Sequence, residues 1–118
     1  MTIAQIEEAF ILRCQAVALR VETGKQETYR SSFTRAVKEA LDDLNLALIA
    51  ARNLGGIPSG VAVFSRTERV QLRVELMQLC DLHLFSEIPT KLTRELIMRG
   101  VPDEVCEKIR SAPQRQIK

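Results

Sequence analysis

The sequence is poor in aromatic residues. It has no tryptophan, one tyrosine and four phenylalanines, so aromatic side chains make up 4% of the chain. A core built without them must rest on leucine, valine, isoleucine and alanine, which suits helix packing better than a β-sandwich. The 118 residues are enough for one modest core and too few for a second full domain.

Long apolar runs and a strong charge of one sign are also absent. No segment approaches the roughly 18 uninterrupted apolar residues of a membrane span. Glu7 and Glu8 are unlike the basic start of a secretory signal. We therefore expect a cytoplasmic protein that does not associate with membranes. The formal net charge is only +2, whereas a dedicated nucleic-acid binder usually has a stronger basic bias.

Residues typical of catalysis or metal binding are few. Cys14, Cys80 and Cys106 lie far apart and match no metal-ligand spacing, so we expect buried, reduced thiols and no metal site. The single histidine, His83, lies in an apolar stretch, which is more typical of a core or interface residue than of a catalytic base. We expect neither an enzyme nor a cofactor. The one enzymatic hypothesis that the sequence leaves open would centre on His83.

Hydrophobic spacing predicts two long amphipathic helices in the first half of the chain. Apolar residues recur at steps of three and four over about 2–23 and again from about 31 to 54, which is the spacing of one helix face. Gly55 and Gly56 are typical of the end of a helix. Because the polar connection between the two segments is short, we predict an antiparallel hairpin.

A third helix is predicted from Ser65, where Ser65 and Glu68 fit a capping box. The alternative is a small β-hairpin at 61–76, since apolar and polar residues alternate there. As a helix, the segment would have two apolar sides, one of which could face a second copy of the chain. The residues assigned to such an oligomer interface are Leu72, Leu76, Leu79 and His83.

Residues 86–89 are expected to break the chain, and two short helices are predicted after them, the first capped by Thr90 and joined to the second at Gly100. The stretch from Leu92 to Ile109 loosely resembles helix-turn-helix DNA readers, and equally the small helical repeats of recombination regulators and ubiquitin-binding modules. Its second helix opens with Asp103 and Glu104, which repel a phosphate backbone, and the turn is one residue short for a DNA reader. We therefore assign no family.

The predicted fold is an all-α bundle of three longer helices with a short C-terminal helix pair. We expect one domain overall, with a helical body at 1–85, a helix–Gly–helix appendage packed on it at 86–112, and a frayed tail at 113–118.

Arginine supplies most of the positive charge, with twelve of the 17 basic residues. Arg66, Arg69 and Arg73 share one face of the third predicted helix and could bind phosphates or an acidic partner surface. Arg94 and Arg99 could extend this set. The alternative is a solvated face crossed by salt bridges.

These patterns predict a small, non-enzymatic interaction protein, such as an adaptor, inhibitor or accessory factor. We expect it to bind a protein partner through helical surfaces and to form a homodimer. The second hypothesis is a nucleic-acid-binding regulator that uses the face formed by Arg66, Arg69 and Arg73.

Overall fold

A computed structural model describes residues 2–24 and 30–111, and these residues form an all-α fold without strands. The predicted tail at 113–118 lies outside the described residues. The fold class is confirmed, and the hairpin alternative at 61–76 is wrong. The five helices are α1 (Ile3–Gly24), α2 (Arg30–Asn53), α3 (Arg66–Asp81), α4 (Glu87–Met98) and α5 (Asp103–Ser111).

The helices α1 and α2 pack as an antiparallel pair, since the side chain of Ile3 at the start of α1 lies beside Gly56 just beyond α2. Thr2 and Gln5 form a capping box at the start of α1. The Thr2 hydroxyl accepts a hydrogen bond from the backbone amide of Gln5 at 3.1 Å, and the backbone amide of Thr2 donates one to the side-chain oxygen of Gln5 at 2.8 Å. The apolar stripe of each helix is buried against the other.

The segment 61–65 is the last part of the connection from α2 to α3, and it forms neither a helix nor a strand. Ser65 then begins α3 with the predicted capping box, in which its hydroxyl accepts from the Glu68 amide and its amide donates to the Glu68 carboxylate. The box starts a helix where the alternating pattern alone predicted a strand. The two apolar residues at 61 and 64 are buried, so the connecting segment is part of the core.

Three helices end in the same way, with a residue in the left-handed backbone region just after the C-cap. Gly55 (φ 78°), His83 (φ 60°) and Gly100 (φ 85°) occupy this position in turn. After each of them, the next amide bonds back across the turn to a helix carbonyl, as in Leu84 to Leu79 at 2.8 Å. This is the Schellman arrangement, and His83 stands where glycine is usual.

The helix α4 begins earlier than the sequence indicates. Residues 86–89 were expected to break the chain and Thr90 to cap the helix, but α4 starts at Glu87. Pro89 lies in the first turn of α4. Proline is tolerated there because the backbone N–H that it lacks would have no partner within the helix. Both Ile88 and Pro89 are buried, so this turn is held by packing.

The C-terminal pair shares the core of the body. Buried residues of α4 and α5, such as Leu92, Leu96 and Ile109, belong to the same apolar cluster as those of α1, α2 and α3. In addition, Lys108 Nζ of α5 lies 3.7 Å from Glu7 Oε1 of α1. Of the helices that the structure describes, none combines the length and the apolar character needed to cross a bilayer.

Candidate functional site

The three arginines predicted to share one face line a cleft between α2 and α3. It has a volume of about 290 Å³, roughly the lower limit for small-molecule sites. Two elements build it: α2 supplies one wall and the first two turns of α3 supply the other. We call it the arginine cleft, and its lining residues are Lys38, Leu41, Asp42, Arg66, Arg69, Val70 and Arg73.

The three arginines of α3 differ in their contacts. Arg69 is held within the chain, because its guanidinium donates to the carbonyl of Phe64 at 2.9 Å and its Nε lies 3.5 Å from Asp42 Oδ1. The side chains of Arg66 and Arg73 make no hydrogen bond or ion pair with the part of the chain that the structure describes. Of the three arginines predicted to share one face, one is therefore anchored within the chain and two are open to a ligand.

Positive charge in the cleft exceeds negative charge. Asp42 is the one carboxylate among the residues that line it, and it lies 3.6 Å from Lys38 Nζ as well as close to Arg69. The lining thus has four cationic side chains and one acidic side chain. Arg66 is exposed and Arg73 is half-buried, so both guanidinium groups can reach a ligand in the cleft.

Arg99 was predicted as a binding residue, but the fold uses it internally. Its guanidinium carbon lies 4.0 Å from the centre of the Phe64 ring, and it pairs with Glu68 and Glu95. Only 7% of its side chain is exposed. A cation stacked on a ring and paired with two carboxylates has little surface left for a partner.

Arg94, the remaining arginine of the predicted set, is exposed on α4 and does not line the cleft. The structure therefore brings Arg66, Arg69 and Arg73 together and leaves the two arginines of α4 elsewhere.

Asn45 was not predicted from the sequence as a functional residue, although it holds the backbone of Phe64, whose carbonyl also accepts a hydrogen bond from Arg69. It is 8% exposed, its side-chain oxygen accepts from the Phe64 amide at 2.8 Å, and its side-chain nitrogen donates to the Phe64 carbonyl at 3.2 Å. The signal was a single polar residue on the apolar stripe of α2, between Leu41 and Leu48. We call Asn45, Phe64, Glu68, Glu95 and Arg99 together the Phe64 cluster.

A second ion network joins α3 to α4. Lys91 pairs with Glu75, and its Nζ lies 3.3 Å from Glu95. The hydrogen bond that Lys91 donates to Glu75 is the main cause that raises the pKa of Lys91. The pKa of Glu75 is lowered, first by its hydrogen bond with Gln71 and then by that with Lys91. These charges stabilise the packing of two helices and do not face the cleft lining.

The residues predicted for an oligomer interface separate in the structure. Leu72 and Leu76 are 3% and 0% exposed within the single chain, so they present no surface to another molecule. Leu79 is half-buried, and His83 is exposed at the end of α3. On the other apolar side of α3, Val70 and Val74 are 43% and 44% exposed.

His83 was interpreted as a core or interface residue; it is exposed and not part of the core, and the interface role stays a prediction. It ends α3, and its ring packs edge-on against Phe85 with 5.9 Å between the ring centres.

The three cysteines are free and buried, as predicted. Burial is the main cause that raises the pKa of the Cys14 thiol far above its usual value, and the neighbouring Cys106 adds to it. Burial also raises the pKa of Cys106, and Asp103 contributes. A thiol held in the protonated form is a poor nucleophile and a poor metal ligand. Within 2–24 and 30–111, no three acidic, cysteine or histidine residues are grouped to hold a metal ion.

No protein-family model, curated protein or solved structure matches this chain. The functional conclusion therefore rests on the chain's own residues.

Proposed function

We propose that this protein is a small non-enzymatic interaction protein that binds an acidic segment of a protein partner in the arginine cleft. The observation that carries the proposal is the pair Arg66 and Arg73, two guanidinium groups in a cleft without an acidic partner among the described residues. Charged side chains that pair internally stabilise a fold, whereas open ones beside a cleft are available to a ligand.

Apolar surface next to these arginines favours a protein ligand. Val70 lines the cleft, and Val74 follows it one turn along α3, with both side chains more than two-fifths exposed. A partner helix lying along α3 would meet arginine, valine and arginine in succession. Protein interfaces commonly combine an apolar centre with charged residues at the rim.

The nucleic-acid hypothesis receives less support. Binding to a duplex needs many cations along the phosphate backbone. Arg99 is committed to the Phe64 cluster, and Arg94 lies outside the cleft. The four cationic side chains that line the cleft form a compact site, which fits one acidic group better than a run of phosphates.

Two further observations support a non-enzymatic role. The buried thiols are held protonated, and His83 is exposed at a helix end. Neither arrangement provides an activated nucleophile beside a base. A cytoplasmic location stays a prediction.

A designed peptide tests the proposal. Arg66 and Arg73 are separated by two turns of helix, about 10.5 Å along its axis. The probe is a fluorescent helical peptide of about 20 residues with two glutamates at the same separation and leucines midway between them. A control peptide has glutamine in place of both glutamates. We expect the glutamate peptide to bind and the glutamine peptide to bind at least about tenfold more weakly.

Protein variants locate the site. The double variant Arg66→Gln with Arg73→Gln should reduce the affinity by roughly a hundredfold, or about tenfold for each arginine. Arg94→Gln is the matched control and should leave the affinity unchanged. Equal binding of both peptides would refute the proposal. A labelled DNA duplex that binds more tightly than the peptide, with steep salt dependence, would favour the nucleic-acid hypothesis.

A homodimer stays a prediction, and its interface would have to lie elsewhere than at Leu72 and Leu76. Size-exclusion chromatography with light scattering measures the mass directly. A monomer at micromolar concentration would refute the dimer, whereas a dimer that Val74→Glu dissociates would place the interface on the exposed side of α3.

A further inference from the structure

The charge balance of the arginine cleft indicates what kind of acidic group it binds. Lys38, Arg66, Arg69 and Arg73 carry four positive charges, and Asp42 carries one negative charge. A single carboxylate ligand would neutralise only one of the remaining positive charges. A phosphomonoester carries about −1.5 to −2 near neutral pH and has three strong acceptor oxygens.

The arginines of the cleft provide several donors for such a group. Arg69 is fixed by the Phe64 carbonyl and by Asp42, so little side-chain entropy is lost when it contacts a ligand. Arg66 and Arg73 precede and follow it on the same face of α3. Three guanidinium forks around one cleft can each donate to a different phosphate oxygen, which a carboxylate with two oxygens cannot match.

The size of the cleft fits a side chain better than a whole cofactor. Its volume of about 290 Å³ holds a phosphate group and the carbon atoms next to it. Leu41 is buried in one wall and Val70 is partly exposed in the other, so the carbon atoms of a phosphoester would have apolar contacts.

We infer that the arginine cleft binds a phosphorylated side chain of its protein partner, with Arg66 and Arg73 as the principal ligands of the phosphate. This inference rests on the proposed function and specifies its ligand. It makes the interaction dependent on phosphorylation of the partner, so a kinase and a phosphatase would control binding.

Three versions of the acidic peptide test the inference. In place of the two glutamates they have a single variable position midway between them, which carries glutamate, serine or phosphoserine, so that Arg66 and Arg73 can both reach it. At pH 7.5 and constant ionic strength, fluorescence anisotropy should give an affinity about tenfold higher for phosphoserine than for glutamate, with serine weakest. Arg66→Gln and Arg73→Gln should each remove most of this advantage, and Arg94→Gln should not change it.

Lowering the pH gives an independent readout. The second pKa of a phosphomonoester is about 6, so at pH 5.5 the phosphate has lost most of its second negative charge. We expect the advantage of phosphoserine to fall to about threefold. Arginine and lysine stay charged over this range. The glutamate peptide is measured on the same protein at both pH values, so any change in the protein itself affects both peptides and is subtracted.

The outcomes separate the inference from the proposed function. If phosphoserine and glutamate peptides bind equally at both pH values, the inference is wrong and the proposed function stands. If none of the three binds, both fail. A 5′-phosphorylated oligonucleotide, or vesicles containing phosphoinositides, that bind more tightly than the phosphopeptide would also overturn the inference, because the phosphate would then come from another source.

Discussion

The Phe64 cluster and the arginine cleft both lie at the start of α3, and arginine has opposite roles in them. In the cluster, the guanidinium of Arg99 stacks on an aromatic ring and pairs with two glutamates. In the cleft, Arg66 and Arg73 have no acidic partner among the residues that the structure describes. The same side chain thus stabilises the fold in one region and is available for binding in the other.

This difference shows that charge alone does not identify a binding residue. What decides the role of an arginine is whether the fold places carboxylates and a ring beside it. Glu68 and Glu95 approach Arg99 from α3 and α4, whereas the one acid of the cleft is divided between Lys38 and Arg69. The comparison predicts large effects on stability from the cluster and small ones from the cleft.

The largest effect is expected for Asn45→Ala. The substitution leaves the amide of Phe64 buried without its partner and removes one of two donors to the Phe64 carbonyl. We expect the free energy of unfolding to fall by about 3 kcal/mol. Urea denaturation followed by circular dichroism measures it. The exposed Asn53→Ala at the end of α2 is the control, and an equally small effect of both would show that Asn45 does not fix the segment 61–65.

A somewhat smaller loss is expected for Arg99→Gln, about 2 kcal/mol. The loss stays below that of a fully buried pair because Glu68 is half-exposed and can be hydrated again. Arg66→Gln, in the cleft, should change the free energy of unfolding by less than about 0.5 kcal/mol. If the two variants are equally stable, the distinction between a closed cluster and an open cleft is wrong.

We expect the backbone conformation of His83 to lower the free energy of unfolding. It occupies the same left-handed position as Gly55 and Gly100, where a side chain is unfavourable. His83→Gly should therefore raise the free energy of unfolding by about 1 kcal/mol. Gly100→Ala is the converse substitution and should lower the free energy of unfolding by about 1 kcal/mol. The added methyl group would contact only Val61, at 3.8 Å, so this loss comes from the left-handed backbone conformation. A destabilised His83→Gly variant would mean that the histidine ring contributes more than its backbone costs.

The smallest effect concerns pH and Glu68. Its hydrogen bond from the Ser65 amide is the main cause that lowers its pKa below the ordinary 4.5, and Arg99 lowers it further. A carboxyl group with a lower pKa in the folded state contributes stability above its unfolded pKa and loses it as the pH falls. We expect the stability to decline from about pH 5 to pH 3, and Glu68→Gln to make this decline shallower.

The exposed Glu39→Gln on α2 is the control for this titration. An unchanged slope in the Glu68→Gln variant would mean that other carboxyl groups cause the decline. The effect is modest because the Glu68 side chain is half-exposed.

Much of the fold could be predicted because its signals are local. The spacing of apolar residues identifies α1 and α2, and the pair Ser65 and Glu68 starts α3 despite the alternating pattern that follows. The start of α4 could not be predicted from Pro89, since a proline suits a first turn as well as a break, and burial of Ile88 decides between them.

The site was predicted in part for the same reason. Helical spacing places Arg66, Arg69 and Arg73 on one face, which needs only the helix. The role of Arg99 depends on Phe64, 35 positions earlier in the chain, and no local pattern connects the two. The position of His83 in a helix-ending motif depends on backbone geometry that its apolar neighbours do not reveal.

Side-chain NMR of the arginine Nε–H groups during titration with inorganic phosphate at pH 7.5 compares the two regions directly. Signals are assigned with single Arg→Gln variants. We predict that the Nε–H signals of Arg66 and Arg73 shift together with phosphate, whereas that of Arg99, which is buried in the Phe64 cluster, does not. A shift of Arg99, or a response no greater at Arg66 and Arg73 than at Arg94, would contradict the assignment of the cleft as the binding site.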